Sequence, residues 1–209
     1  MRILAFSDLH EDELALQSLK KISPDFDHVF ICGDIARTNQ FAEEVLEAFP
    51  GAFLIPGNWD NELANRIFSE SPQWVHEKRV ELENGLNLVG FGYSNITPFG
   101  TYGELTEDEI YSRMAKLPID ENTLLMLHTP PKGYFDVSPK GEHAGSSSIL
   151  KIITQTKPLA AFFGHIHGKH LGVEELGSTM LVKLPAANAM QACSVSIEER
   201  KIKAGSVSL

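Results

Sequence analysis

RILAFSDLHEDELALQSLKKISPDFDHVFICGDIARTNQFAEEVLEAFPGAFLIPGNWD, residues 2–60, contains three short apolar runs, and each stops at a polar motif. The runs, residues 2–6, His28–Cys32 and Ala52–Ile55, have the length and side-chain types of buried strands. Between them lie amphipathic stretches. Leu14, Leu16, Leu19 and Ile22 recur at the spacing of a helix face over residues 11–22, and a second helix is predicted from about Asn39 to Phe49. Asp60 or Asn61 can cap a third helix that runs to about Glu70. Apolar strands joined by helices pair in parallel, with right-handed crossovers and both sheet faces covered.

Beyond residue 70 the pattern changes. Lys78–Leu82, the dipeptide Asn84-Gly85 and Leu86–Phe91 read as a β-hairpin with a tight turn. A long glycine-punctuated loop follows, ending where Thr106 and Glu109 form a capping box for a helix through Leu117. Strand Thr123–Leu127 leads into a second loop that runs to about Gly145, and Ser146 can cap a helix ending near Lys157. Strand Leu159–Phe163 comes next, and four strands near 170–176, 179–184, 192–198 and 201–207 read as antiparallel. There is no repeat, low-complexity tract or linker, so one domain over residues 1–209 is expected. Its fold class is α/β, with two sheets of mixed strand direction and helices outside.

Five strand ends carry side chains that ligate metals: ILAFSDLH with Asp8 and His10, VFICGD with Asp34, AFLIPGNWD with Asn58, LLMLHTP with His128, and AAFFGHIHG with His165 and His167. Taken singly, Asp8 and Asp34 read as caps or turn residues, Asn58 as a turn residue and His128 as a structural histidine. The series changes that reading, because adjacent strand ends bring all seven to one place. Seven ligands exceed one tetrahedral site and suit two adjacent five- or six-coordinate ions. Carboxylate, amide and imidazole donors select borderline-hard divalent ions such as Mn, Fe, Zn, Ni or Co. Asp34, alone on its strand end, is the candidate bridge.

Composition narrows the partners. A net charge of −10 and a pI near 5.2 argue against a polyanion-binding surface, making nucleic acid an unlikely partner. Cys32 and Cys193 sit in apolar strands as buried free thiols, which suits a reducing, cytoplasmic setting. The apolar run at the N-terminus is too short for a signal-peptide core, and no stretch approaches membrane-spanning length. Oligomeric state is not readable from the sequence.

The ordered motifs DLH, GD, GNWD, H and GHIH resemble those of the calcineurin-like metallophosphoesterase superfamily, especially its small prokaryotic members. The resemblance spans Asp8 to His167. It implies a four-layer αββα sandwich with two mixed sheets flanked by helices. It also implies a dinuclear-metal phosphoesterase, a hydrolase in which hydroxide held between the ions attacks phosphorus. Position by position, Asp8, His10 and His167 would hold one metal, Asn58, His128 and His165 the other, and Asp34 would bridge them. Asn58 is also a catalytic position. The expected substrate is a small-molecule phosphodiester, with phosphomonoesters second.

One position departs from the family pattern. The family usually has histidine after the metal-binding Asn, and here that residue is Trp59, whose indole has no proton to give near neutral pH. His143, in the loop segment GEHAGS, is the candidate substitute acid or phosphate contact. Trp59 and Asn95 are candidate substrate contacts, and Tyr93 and Phe99 candidate cleft-lining residues. Trp59 also motivates a rival reading, a catalytically weak or inactive phosphoesterase-fold protein that serves as a scaffold.

Overall fold

The computed structural model describes residues 1–168 and 170–209. In chain order the elements are β1 (Arg2–Phe6), α1 (Glu13–Ile22), β2 (His28–Cys32), α2 (Asn39–Ala48), β3 (Phe53–Ile55), α3 (Glu62–Glu70), β4 (Arg79–Glu81), β5 (Asn87–Phe91), β6 (Ser94–Asn95), β7 (Glu104–Leu105) and α4 (Glu107–Met114). They continue with β8 (Thr123–Leu127), α5 (Ser147–Thr156), β9 (Ala160–Phe163), β10 (Gly172–Leu176), β11 (Thr179–Lys183), β12 (Gln191–Glu198) and β13 (Lys201–Ser208). Each α-helix starts at a side-chain cap: Asp12, Thr38, Asn61, Thr106 in a capping box with Glu109, and Ser146. Asn61 therefore caps α3, and Asp60 is free for another task. Because Asp12 sets the start of α1, the buried face is Ala15, Leu16 and Leu19, while Leu14 is 75% exposed. Leu14 was expected on that face, but two residues advance a helix by about 200°, which turns it away from Leu16.

The first sheet has the order β13-β12-β1-β2-β3, with β1, β2 and β3 parallel and β12 antiparallel to both β1 and β13. The second has the order β10-β11-β9-β8-β5-β4, with β5, β8, β9 and β11 parallel and antiparallel strands at both edges. The β4–β5 hairpin turns at Asn84 and Gly85, whose φ of 59° and 73° are those a primed turn requires. The antiparallel reading of the C-terminal strands needs one correction: β11 runs parallel to β9, with Met180 opposite Ala160. The β10–β11 hairpin is antiparallel as expected, yet it folds back so that β11 is inserted beside β9.

Strand alternation distributes the apolar side chains over three cores and so defines four layers. Leu4, Phe6, Val29 and Ile31 face α1, α2 and α3. Ile3, Ala5, Phe30 and Cys32 meet Leu88, Leu124, Met126 and Phe162 between the sheets. Leu125, Leu127, Ala161 and Phe163 face α4 and α5. This is the four-layer sandwich with two mixed sheets flanked by helices. Both cysteines are buried and free. Among the described residues no helix is long and apolar enough to cross a membrane.

His76 clamps the segment that follows β5. Its Nδ1 accepts from Gly92 N at 2.9 Å, and its ring is packed among Trp74, Phe91 and Tyr93. Burial, opposed in part by Glu77 and reinforced by Arg113, pulls its pKa down to about 4. The unfolded chain then takes up the proton first, so stability is full above the ordinary histidine pKa and falls as pH drops from about 6.5 toward 4. The expected loss is on the order of 3 kcal/mol. Urea unfolding at a series of pH values should show this slope in the wild type and a flatter one in His76→Gln; equal slopes would refute the assignment.

Candidate metal centre

The parallel strands point their carboxyl ends to one edge of the sandwich, and the loops leaving β1, β2, β3, β8 and β9 meet there. The backbone at these ends is unusual. Asp8, His10, Asp34 and His165 have φ of 56°, 49°, 55° and 66°, a region that non-glycine residues rarely occupy. Such strain persists where surrounding contacts impose it, commonly at functional sites. Here Asp8 N donates to Gly33 O and His10 N to Asp34 O, both at 3.0 Å, locking the first two strand ends together. Close approach requires glycine at two positions. A Cβ on Gly57 would overlap the backbone and carboxylate of Asp34, and one on Gly164 would overlap Ser7 and Asp8.

The side chains form two groups that share one residue. Ligand atoms of Asp8, His10, Asp34 and His167 lie within 4.8 Å of one another, as do those of Asp34, His128 and His165. In the first group His10 Nε2 is 3.0 Å from His167 Nε2, and His167 Nε2 is 3.3 Å from Asp8 Oδ1. In the second, His128 Nε2 lies 3.0 Å from Asn58 Oδ1 and 3.2 Å from His165 Nδ1. Asp34 turns one oxygen to each group: Oδ2 is 3.6 Å from His10 Nε2, and Oδ1 is 3.3 Å from His128 Nε2. Neither Asp8 nor Asp34 caps a helix. The donor set fits divalent ions. Among the described residues, the buried Asp8 Oδ1 has no hydrogen-bond partner, an orphan acceptor directed at the histidines.

The electrostatics follow from burial and charge. Burial pushes the Asp8 and Asp34 carboxyls up, but His167 and His128 beside Asp8, and His128 beside Asp34, hold both below the usual range. Burial and the charge of His128 draw His165 down to about 4, and burial also lowers His10. His128 goes the other way: burial disfavours its charge, yet Asp34 and Asp8 lift it to about 9. The Asp8 carboxylate, 3.3 Å away, raises His167.

Support for this centre comes from residues whose role was not apparent in the sequence. Cys32 O is 2.8 Å from His128 Nδ1 and can only accept, so Nδ1 carries a proton and Nε2 is the ring atom turned to the centre, free to ligate once a metal displaces its proton. The fully buried Asp60 accepts from Ile35 N (2.6 Å), Ala36 N (2.8 Å) and Gly57 N (2.7 Å), pinning the β2 and β3 loops together. Burial and the Asp34 charge raise its pKa to about 7. Glu104 accepts from the Thr101 hydroxyl at 2.5 Å, and that oxygen accepts from Asn58 Nδ2 at 2.7 Å. This relay fixes the amide with Oδ1 inward. Thr101→Val is therefore expected to weaken metal binding at the His128 group about 10- to 100-fold, as lost outer-shell contacts do. Metal titration would check it, and unchanged affinity would remove Thr101 from the argument.

Of the remaining candidates, Trp59 touches ligand residues directly, whereas the contacts of His143 and Asn95 are with the loop of residues 129–145. Trp59 N donates to Asp34 Oδ1 at 2.8 Å, and its half-buried ring stands edge-on to His10, centroids 4.7 Å apart. His143 is exposed and pairs through Nδ1 with the buried Asp136, 2.7 Å away. Asn95 donates to Ala144 O at 3.1 Å, bracing the 92–104 loop against the loop of His143. Tyr93 is half-buried against His76, and Phe99 is 81% exposed.

Residues 1–169 match the family model of calcineurin-like phosphoesterases, and the chain belongs to that family. The uncharacterized protein MJ1162 of Methanocaldococcus jannaschii is 31% identical over 194 residues, covering 87% of each chain. The UPF0046 protein K07C11.7 of Caenorhabditis elegans is 26% identical over 212 residues, covering 90% of this chain and 70% of its own. Among solved structures, TT1561 of Thermus thermophilus superposes with a TM-score of 0.74 at 20% identity over 98% and 97% of the two chains. A novel archaeal phosphodiesterase shares the fold at TM-score 0.56 and 14% identity, over 99% of this chain and 100% of its own.

Proposed function

We propose that this chain is a dinuclear-metal phosphoesterase that hydrolyses small-molecule phosphodiesters in preference to phosphomonoesters. The observation that carries the reading is the pair of ligand groups sharing Asp34, in a chain of the calcineurin-like family. Asp8, His10 and His167 would hold one ion, Asn58, His128 and His165 the other, with Asp34 between them. The donor chemistry suits Mn, Fe, Zn, Ni or Co. When bound, two such ions lower the pKa of water and stabilise both the attacking and leaving oxygens of the ester.

The chain supplies orientation and a proton. Cys32 and Thr101 fix the donor atoms of His128 and Asn58, so the site needs little rearrangement. Trp59 lines the cleft without a transferable proton. His143 is the residue assigned to protonate the leaving oxygen. The Asp136 carboxylate can only accept from Nδ1–H, which leaves Nε2 exposed on a loop that Asn95 braces. A good leaving group needs that proton least, so activated aryl esters are the substrates on which turnover should be seen first. Purified protein reloaded with Mn, Co, Ni or Zn should hydrolyse activated aryl phosphodiesters; failure with both diesters and monoesters would end this reading. Trp59 favours one other reading, a scaffold with little turnover. A scaffold would lose metal to chelation without change in stability, whereas the enzyme should lose activity and regain it when metal is restored.

A further inference from the structure

The exposed guanidinium of Arg37 lies over the Trp59 ring, 5.1 Å from its centroid, and Trp59 in turn borders His10. Among the described residues no carboxylate pairs with it. The nearby Glu11 is otherwise engaged: its Oε1 accepts from Arg37 N (2.8 Å), Thr38 N (2.6 Å) and the Thr38 hydroxyl (2.7 Å). The other side of the residue is tethered as well, since Asn61 Nδ2 donates to Arg37 O at 2.8 Å. Just before it, Asp60 holds Ile35 N and Ala36 N. Arg37 thus has a fixed backbone three residues after Asp34, and its guanidinium forms no direct ion pair among the described residues, although the Glu11 charge acts on it.

We propose that Arg37 is a substrate-recognition residue that binds non-bridging phosphate oxygens of the ester, with Trp59 as the platform that keeps its guanidinium at the rim. The inference rests on the phosphoesterase reading and deepens it. An arginine fork matches two oxygens of a phosphate, and desolvation over an indole face strengthens its charge-assisted hydrogen bonds. Trp59 thereby has a purpose that imidazole would not serve as well, because indole is the strongest of the aromatic cation platforms. The contact is with charge on the phosphate, so it affects binding more than proton transfer.

The test is calorimetric titration of inorganic phosphate into Mn-loaded protein, alongside steady-state kinetics on an activated aryl phosphodiester. Arg37→Ala and Arg37→Gln, the second keeping much of the side-chain stem, are expected to raise the phosphate Kd and the substrate KM about 10- to 100-fold. In both variants kcat should stay within about threefold, and metal content and melting temperature should be unchanged. Arg37→Lys should recover only part of the loss, because a point charge replaces a fork. Trp59→Leu should weaken phosphate binding in the same direction. Phosphate Kd and KM within twofold of wild type in both Arg37→Ala and Arg37→Gln would overturn the inference and leave the phosphoesterase reading standing. Wild-type protein that neither binds phosphate with metal present nor turns over the ester would overturn both.

Discussion

Asp34→Asn is expected to lower kcat by about 10³-fold or more and to reduce tightly bound metal from two ions per chain to one or none. Asparagine has the same shape and readily accepts the positive φ of 55° at this position, so the β2 loop should keep its course. Its Oδ1 can still accept from Trp59 N, as the carboxylate does at 2.8 Å. The electrostatics are what change. One oxygen of Asp34 now faces the His10 group and the other the His128 group, whereas the amide offers one acceptor and one NH₂ donor. A donor aimed at a cation site repels the ion, and the shared negative charge is gone. The metal-free variant should melt at or below the wild type, because the pairing of the Asp34 carboxylate with His128 is lost, while the melting shift on adding metal should shrink. Metal analysis, kinetics, and melts with and without chelator separate these effects. Two ions bound and activity within tenfold of wild type would rule out the bridging assignment.

The parts of this site that were legible in the sequence share one property: each lies within a few residues of a strand end. An apolar run that stops at Asp8, Asp34, Asn58, His128 or His165 declares both its element and its direction, and parallel pairing then places the ends together. Caps were legible for the same reason, because Asn61, Thr106 and Ser146 act on backbone groups three residues ahead. What escaped depends on contacts across the fold. Thr101 and Glu104 belong to a glycine-rich stretch without periodicity, and only its return onto Pro56–Asn58 makes them partners of Asn58. Arg37 reads as an ordinary polar loop residue until Glu11 and Asn61 are seen to tether it. The direction of β11 was hidden because a hairpin specifies its own two strands but not which of them joins the existing sheet. Leu14 was misplaced although its spacing was legible, because residues two apart do not share a helix face.

The doubt left by Trp59 concerns the proton of the leaving group, and it gives the second large effect. If His143 supplies that proton, His143→Gln should cost about 10²- to 10³-fold in kcat for esters with alkoxide leaving groups and under about fivefold for nitrophenolate. The difference arises because an alkoxide of high pKa cannot depart unprotonated, whereas nitrophenolate can. Asp136→Asn should show the same leaving-group pattern at smaller size, since the buried carboxylate holds the imidazole without contacting substrate. An asparagine there also accepts less well from Gly133 N and Gly145 N, now 3.0 and 3.1 Å from Asp136 Oδ2, so loop order needs its own check by proteolysis. The informative partner is Trp59→His, which places an imidazole beside Asp34 and should restore alkoxide turnover in the His143→Gln background. It should at the same time weaken phosphate binding by removing the ring beneath Arg37. Restored kcat with raised KM would separate the two tasks, proton delivery by an imidazole at this position and charge recognition by Arg37 on the indole. A His143→Gln loss that is equal for alkoxide and nitrophenolate esters would instead make His143 a structural member of its loop.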